Sequence, residues 1–107
     1  MKTLKFKGHL VLKILDGTKT VTWRLFDDKD LQVRDRLDFI NSDTGAKFTE
    51  AEIINIREKK LGEIKDSDFE GHERYQKQED MLQHYKKYYG DKVNLNTSVK
   101  IINFKLL

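Results

Sequence analysis

Eight consecutive residues, Gly17 to Arg24, carry one lysine, three threonines, a tryptophan and an arginine. An ammonium, several hydroxyls and a guanidinium this close together can hold a polar or anionic ligand. Polar residues of a small domain are usually scattered over a solvated surface. Here they crowd beside Val21 and Trp23, whose types belong in a core, and the mixture reads as the wall of a pocket. Side chains alternate along a strand. If Thr20 to Arg24 is extended, Val21 and Trp23 share the core face, and Thr20, Thr22 and Arg24 share the other. Thr22 and Arg24 then face a cavity. Lys19 has the wrong parity to join them within a regular strand. It reaches the same space only from a turn after Gly17.

A second polar cluster is Glu70-Gly71-His72-Glu73-Arg74. Glycine in this helix-compatible stretch marks a close backbone approach or a break between helices. Glu73 is the first candidate for a site carboxylate, and Glu70 is the second. His72 with Glu70 and Glu73 does not have the spacing of a zinc motif, and there is no cysteine to help. Neither a metal nor a cofactor is called for. The chain has no glycine-rich phosphate loop, no Ser-His-Asp motif and no dinucleotide fingerprint. Tyr85, Tyr88 and Tyr89 could stack on bases, but their helical spacing points first to a core role.

The elements that must position these groups are short. Lys2 to Phe6 alternates and reads as a strand. Leu10, Val11, Ile14 and Leu15 fall at helical spacing, with Gly17 as the stop. Thr18 to Leu25 reads as a strand, and so do Arg36 to Asn41 and Phe48 to Ile56, joined by the turn Ser42-Asp43-Thr44-Gly45. Val99 to Leu106 is the last strand. Asp66-Ser67-Asp68 can cap a short turn before Phe69. Met81, Leu82, Tyr85, Tyr88 and Tyr89 form one helical stripe that Gly90 ends. Apolar parity slips between Ile53 and Ile54, and again between Ile101 and Ile102. A slip turns later side chains to the other face unless a bulge absorbs it, and paired slips suit a strongly curved or closing sheet. The expected architecture is α+β: a small curved β-barrel with two or three short helices at its edge.

At 107 residues there is room for one domain with one core, filled by aliphatic residues, six phenylalanines, four tyrosines and a tryptophan. Charged residues make up 36% of the chain, and the net charge is +3. That balance permits a polyanionic ligand without demanding one. The sequence holds no apolar run of membrane-spanning length and its N-terminus does not read as a signal peptide. With cysteine absent as well, the expected compartment is the cytoplasm.

The spacing Gly17-x-Lys19-x-x-Thr22-x-Arg24 resembles the signature of the ASCH domain family, a branch of the PUA-like β-barrel superfamily. Many members read Gly-x-Lys-x-x-Glu-x-Arg, and Thr22 stands here in place of the glutamate. A subgroup resembling bacterial N4-acetylcytidine amidohydrolases shares that departure. Asp68 to Glu73, running on to Tyr88-Tyr89-Gly90, is similar to the family's second block, and Ile101-Ile102-Asn103-Phe104 to its last strand. The resemblance covers nearly the whole chain and implies a PUA-like barrel over residues 1–107. It also implies a catalytic lysine, threonine and glutamate at Lys19, Thr22 and Glu73, with Arg24, Thr20, Glu70 and Trp23 around the ligand. The partner would be a modified nucleoside or RNA. The competing reading is a non-catalytic RNA-binding module, or a ribonuclease, on the same fold; the oligomeric state is left open.

Overall fold

The computed structural model describes residues 2–107. Five strands form one sheet: β1 (Lys2–Phe6), β2 (Val21–Leu25), β3 (Arg36–Asn41), β4 (Lys47–Lys60) and β5 (Ser98–Leu106). Their order is β1-β3-β4-β5-β2. β1 runs parallel to β3, and the other neighbours are antiparallel. Helix α1 (Gly8–Leu15) links β1 to β2, and α2 (Gln78–Tyr89) precedes β5. Two short 3-10 turns, Leu61–Glu63 and Asp66–Phe69, lie between β4 and α2. This is the expected α+β architecture, with two helices. β2 starts later than expected, at Val21, and β4 continues past Ile56 to Lys60.

The sheet is buried on both faces. Leu4, Phe6, Phe39, Ile53, Ile102 and Phe104 pack on one side with Ile14 of α1. Val21, Trp23, Leu25, Val99 and Ile101 pack on the other side against Met81 and Tyr85 of α2. This separates the two parity slips. In β4, Ile53 pairs with Phe104 and Asn55 with Asn103, so Ile54 bulges out and is 49% exposed. In β5 no bulge is needed, because Ile101 and Ile102 each meet a core. A second bulge, absent from the sequence reading, leaves Phe48 of β4 without a partner between Phe39 and Ile40. Bulges sharpen twist and bend a strand, so these two help the sheet to curl.

The curl brings the outer strands together. β1 and β2 lie at opposite ends of the strand order, yet Arg24 Nη2 donates to the Lys5 carbonyl at 2.9 Å. Lys29 Nζ donates to the Thr3 carbonyl at 2.6 Å. Cationic side chains therefore occupy main-chain acceptors of β1 along its free edge, one way of blunting an edge strand. The seam they span is where the cleft opens.

The segment after the second 3-10 turn is docked at two points. Asp68 is almost fully buried and accepts from Arg57, Lys59 and the Lys65 amide, each at 2.8 Å. Burial alone would raise its pKa, but these donors outweigh it and hold the carboxyl at about 2. Further on, the Gly71 carbonyl accepts from the amides of Thr20, at 2.9 Å, and Val21, at 3.2 Å. Gly71 has φ +77°, and a β-carbon there would collide with Thr20 Oγ1. Gly71→Ala combines a left-handed non-glycine residue with that collision, and should cost about 2–3 kcal/mol. The thermal midpoint is expected to drop by about 10 °C or more. An unchanged midpoint would show that the segment is not docked in this way.

Candidate active site

The docking of Gly71 on the start of β2 places His72 and Glu73 beside Lys19. Because β2 begins at Val21, Lys19 sits in the turn before it, the one position from which its parity permits access. Gly17 turns the chain there with φ +83°, and the Lys19 amide is tied back to the Lys13 carbonyl at 2.9 Å. Lys19 is 4% exposed. Its Nζ donates to Glu73 Oε2 at 2.7 Å and to the Val21 carbonyl at 2.8 Å. Thr22 is also buried, and its Oγ1 accepts from Arg24 Nε at 3.3 Å. The hydroxyl proton of Thr22 is thereby left free to be donated. The Arg24 guanidinium lies 4.8 Å from the centre of the Phe6 ring, which fixes its plane.

Lys19, Thr22, Arg24 and Glu73 line one cavity of about 340 Å³. That size suits a small molecule. β1 and α1 supply Lys5, Phe6 and His9 to one side, and α2 supplies His84, Tyr85 and Tyr88 to the other. The tyrosine stripe therefore divides its duties: Tyr85 is buried, and Tyr88 is 52% exposed at the mouth, with Lys7 Nζ 5.8 Å from its ring centre. Trp23 is core and wall at once. It packs with Val21 and Leu25, and it also meets the cavity. The His72 ring stacks on it with centroids 4.2 Å apart and planes inclined by 18°.

The protonation states follow from burial and from Lys19. Burial lowers the Lys19 pKa and Arg24 adds to that, while Glu73 pulls it back up. For Glu73 burial acts upward, but Lys19 and His72 win and the carboxyl sits below its ordinary value. His72 is pushed down to about 4, first by burial and then by the Lys19 charge. It is therefore neutral at pH 7. Burial likewise lifts Tyr85 well above the usual phenol range.

A depressed imidazole makes folding pH-dependent. Between about 4 and 6.5 the unfolded chain binds a proton at His72 that the folded chain refuses. The stabilisation is complete above pH 6.5 and is lost as pH falls to about 4, by an amount on the order of 3 kcal/mol. His84, lowered by burial, and Glu73 act in the same direction. Denaturant titrations at pH 7 and pH 4.5 should show this loss in the wild type and less than half of it in His72→Phe. Equal losses would mean that His72 is not held neutral.

The structure brings Lys19, Thr22, Arg24, Trp23 and Glu73 together and leaves two expected residues out. The Glu70 side chain is exposed and is not part of the cavity wall, because the turn at Gly71 separates it from Glu73. Thr20 is exposed too, its hydroxyl lying against Gly71 outside the cleft. The sequence reading missed Phe6, His72 as a ring stacked on Trp23, and Tyr75 as cavity residues. Only the nearness of His72 to Gly71 and Glu73 in sequence hinted at the second. Among the described residues no three metal-ligating side chains converge.

The curled sheet with its two helices is the small α+β fold of ASCH and PUA-like domains. An ASCH domain from Lactobacillus crispatus superposes with a TM-score of 0.74 at 14% identity, over 98% of this chain and 79% of that one. An Enterococcus faecalis protein of the DUF984 family gives 0.77 at 11% identity, over 92% and 70%. A Pyrococcus furiosus protein gives 0.64 at 19% identity, over 99% and 96%. No protein-family model and no curated protein matches the sequence. Among the described residues no helix is long and apolar enough to cross a membrane.

Proposed function

We propose that this protein is an amidohydrolase that removes the acyl group from the exocyclic amine of a modified cytidine such as N4-acetylcytidine, working in the cytoplasm. The observation that carries the reading is the ion pair of buried Lys19 with half-buried Glu73 on the same cavity as Thr22. Its resemblance to the amidohydrolase subgroup rests on Thr22 in the Gly-x-Lys-x-x-Thr-x-Arg spacing.

A lysine base must be neutral, yet a nearby carboxylate favours the ammonium. The 2.7 Å contact offers a way round that conflict. Passing one proton from Lys19 Nζ to Glu73 converts the ion pair into an amine beside a carboxylic acid, with no proton taken from solvent. Burial of Lys19 and partial burial of Glu73 make that neutral pair less costly than it would be in water. Neutral Lys19 then takes the Thr22 proton as Oγ1 attacks the amide carbon. Arg24, already on Oγ1, stabilises the negative charge that develops. Collapse breaks the carbon–nitrogen bond, and Glu73 hands its proton to the leaving amine. The acyl-threonine and the Lys19–Glu73 ion pair remain. Water hydrolyses the ester, returning the proton to Thr22 and releasing the carboxylic acid. The net reaction is one amide and one water to one acid and one amine.

Incubation with N4-acetylcytidine, followed by chromatography for cytidine, tests the reading. Absence of turnover would sink it. A non-catalytic RNA-binding role draws on a different observation, the lysines Lys5 and Lys7 beside half-exposed Tyr88 at the cavity rim. It requires RNA affinity that weakens steeply with salt. A ribonuclease would instead show RNA cleavage that Lys19→Ala abolishes.

A further inference from the structure

His72 has no part in the proton transfers above, yet its geometry is tightly set. Its side chain is 5% exposed, clamped on the Trp23 indole by the 4.2 Å stack. Its Nδ1 lies 2.8 Å from the main-chain carbonyl of Glu73. A carbonyl oxygen only accepts, so Nδ1 carries the hydrogen. The ring is neutral at pH 7, held so by burial and by Lys19. Its Nε2 is therefore a bare lone pair. That atom makes no hydrogen bond to any described residue, and it is not among the buried polar atoms sealed off without a partner. His72 is itself part of the cavity lining.

Hydroxyls and other imidazoles line the wider cavity, but among the side chains bonded to Lys19, Thr22 or Glu73 acceptors are scarce. Lys19 and Arg24 only donate. Glu73 is bonded to Lys19, and in the mechanism above it becomes a protonated donor. A secondary amide presents one acceptor, its carbonyl oxygen, and one donor, its N–H. The carbonyl has Arg24 and Lys19 to choose from. The N–H needs a group that stays an acceptor throughout, and the imidazole nitrogen is that group.

We propose that His72 Nε2 is the specificity-determining acceptor for the N–H of the scissile amide, so that the site takes secondary N-acyl amides and rejects N-alkylated ones. The inference rests on the amidohydrolase reading. The hydrogen bond holds the nitrogen in place while Thr22 attacks the adjacent carbon. An N-methyl group both removes the donor and presses a carbon against a buried acceptor. Sites built around a substrate N–H discriminate strongly against analogues that lack it.

The test compares N4-acetylcytidine with N4-acetyl-N4-methylcytidine, each rate normalised to alkaline hydrolysis of the same compound. The wild type is expected to prefer the secondary amide by at least about 100-fold in kcat/KM. His72→Asn keeps a donor for the Glu73 carbonyl but lacks the Nε2 position, and its preference should collapse to below about 10-fold through loss of the secondary-amide rate. His72→Gln, which returns an acceptor to that position, should recover part of the preference. Each ratio is taken within one variant, so partial unfolding cancels. Equal hydrolysis of both amides by the wild type, or an unchanged ratio in His72→Asn, overturns the role of His72 and leaves the amide chemistry standing. A wild type inactive on both compounds overturns the amide reading and this inference together.

Discussion

Thr22→Val is expected to abolish hydrolysis of N4-acetylcytidine, with kcat/KM falling by about 10⁴-fold or more. Valine has nearly the shape of threonine and lacks only the hydroxyl. The residue sits inside β2, paired with Ile102 and almost fully buried. Losing the bond from Arg24 Nε should cost about 1 kcal/mol of stability, too little to unfold the chain. The loss should appear in kcat, with KM little changed. A hydroxyl that only bound substrate would give the reverse pattern, because removing uniform binding raises KM and spares kcat. Thr22→Ser keeps the nucleophile and should retain measurable turnover. The wild type should also accumulate an acylated chain, heavier by one acetyl group, when quenched during turnover. Thr22→Val working at more than a tenth of the wild-type rate would remove threonine from the chemistry and leave water as the nucleophile.

The residues that carry this argument were legible to different degrees, and the reason is distance along the chain. The condition on Lys19 came from strand parity, a local property, and β2 meets it by starting at Val21. The bulge at Ile54 is a local slip in apolar order, and it stands where the pattern breaks. The slip at Ile101 and Ile102 looked identical in sequence but means something else. A strand packed on both faces has no polar side to keep in phase, so its pattern cannot report a bulge. The choice between Glu73 and Glu70 turned on one backbone dihedral at Gly71, which sequence marks only as a glycine. The stack of His72 on Trp23 and the bridge from Arg24 to Lys5 join segments far apart in the chain. They exist only once the sheet has curled, and no short-range pattern encodes them.

The second large effect is on stability, and the two partners of one ion pair should differ sharply. Glu73→Gln leaves the Lys19 ammonium, 4% exposed, with neutral acceptors only: the Val21 carbonyl and the introduced amide oxygen. Breaking a buried pair from one side typically costs about 3–5 kcal/mol. The Glu73 side chain is 30% exposed, so solvent screens the pair and about 2–3 kcal/mol is the expected loss at pH 7. Lys19→Met removes the buried charge and fills its volume with apolar atoms, while Glu73 is open enough to be hydrated. Its loss should stay under about 1 kcal/mol. The double variant should lie close to Lys19→Met, with the cost of Glu73→Gln largely gone. All three should be inactive, so activity and stability separate. The pH dependence fixes the cause. A lysine whose folded pKa lies below its unfolded value sheds its proton first in the folded state. Stability therefore rises as pH climbs from that folded pKa toward 10.5, the ordinary value. Glu73 opposes this shift in the wild type. Without it the folded pKa falls further, and Glu73→Gln should begin to regain stability at a lower pH than the wild type does. Denaturant midpoints from pH 7 to pH 10 would show this. A Glu73→Gln variant as stable as Lys19→Met at pH 7, or one whose deficit is flat with pH, would mean that Lys19 carries no uncompensated charge. The proton exchange on which the proposed chemistry depends would then have no driving force.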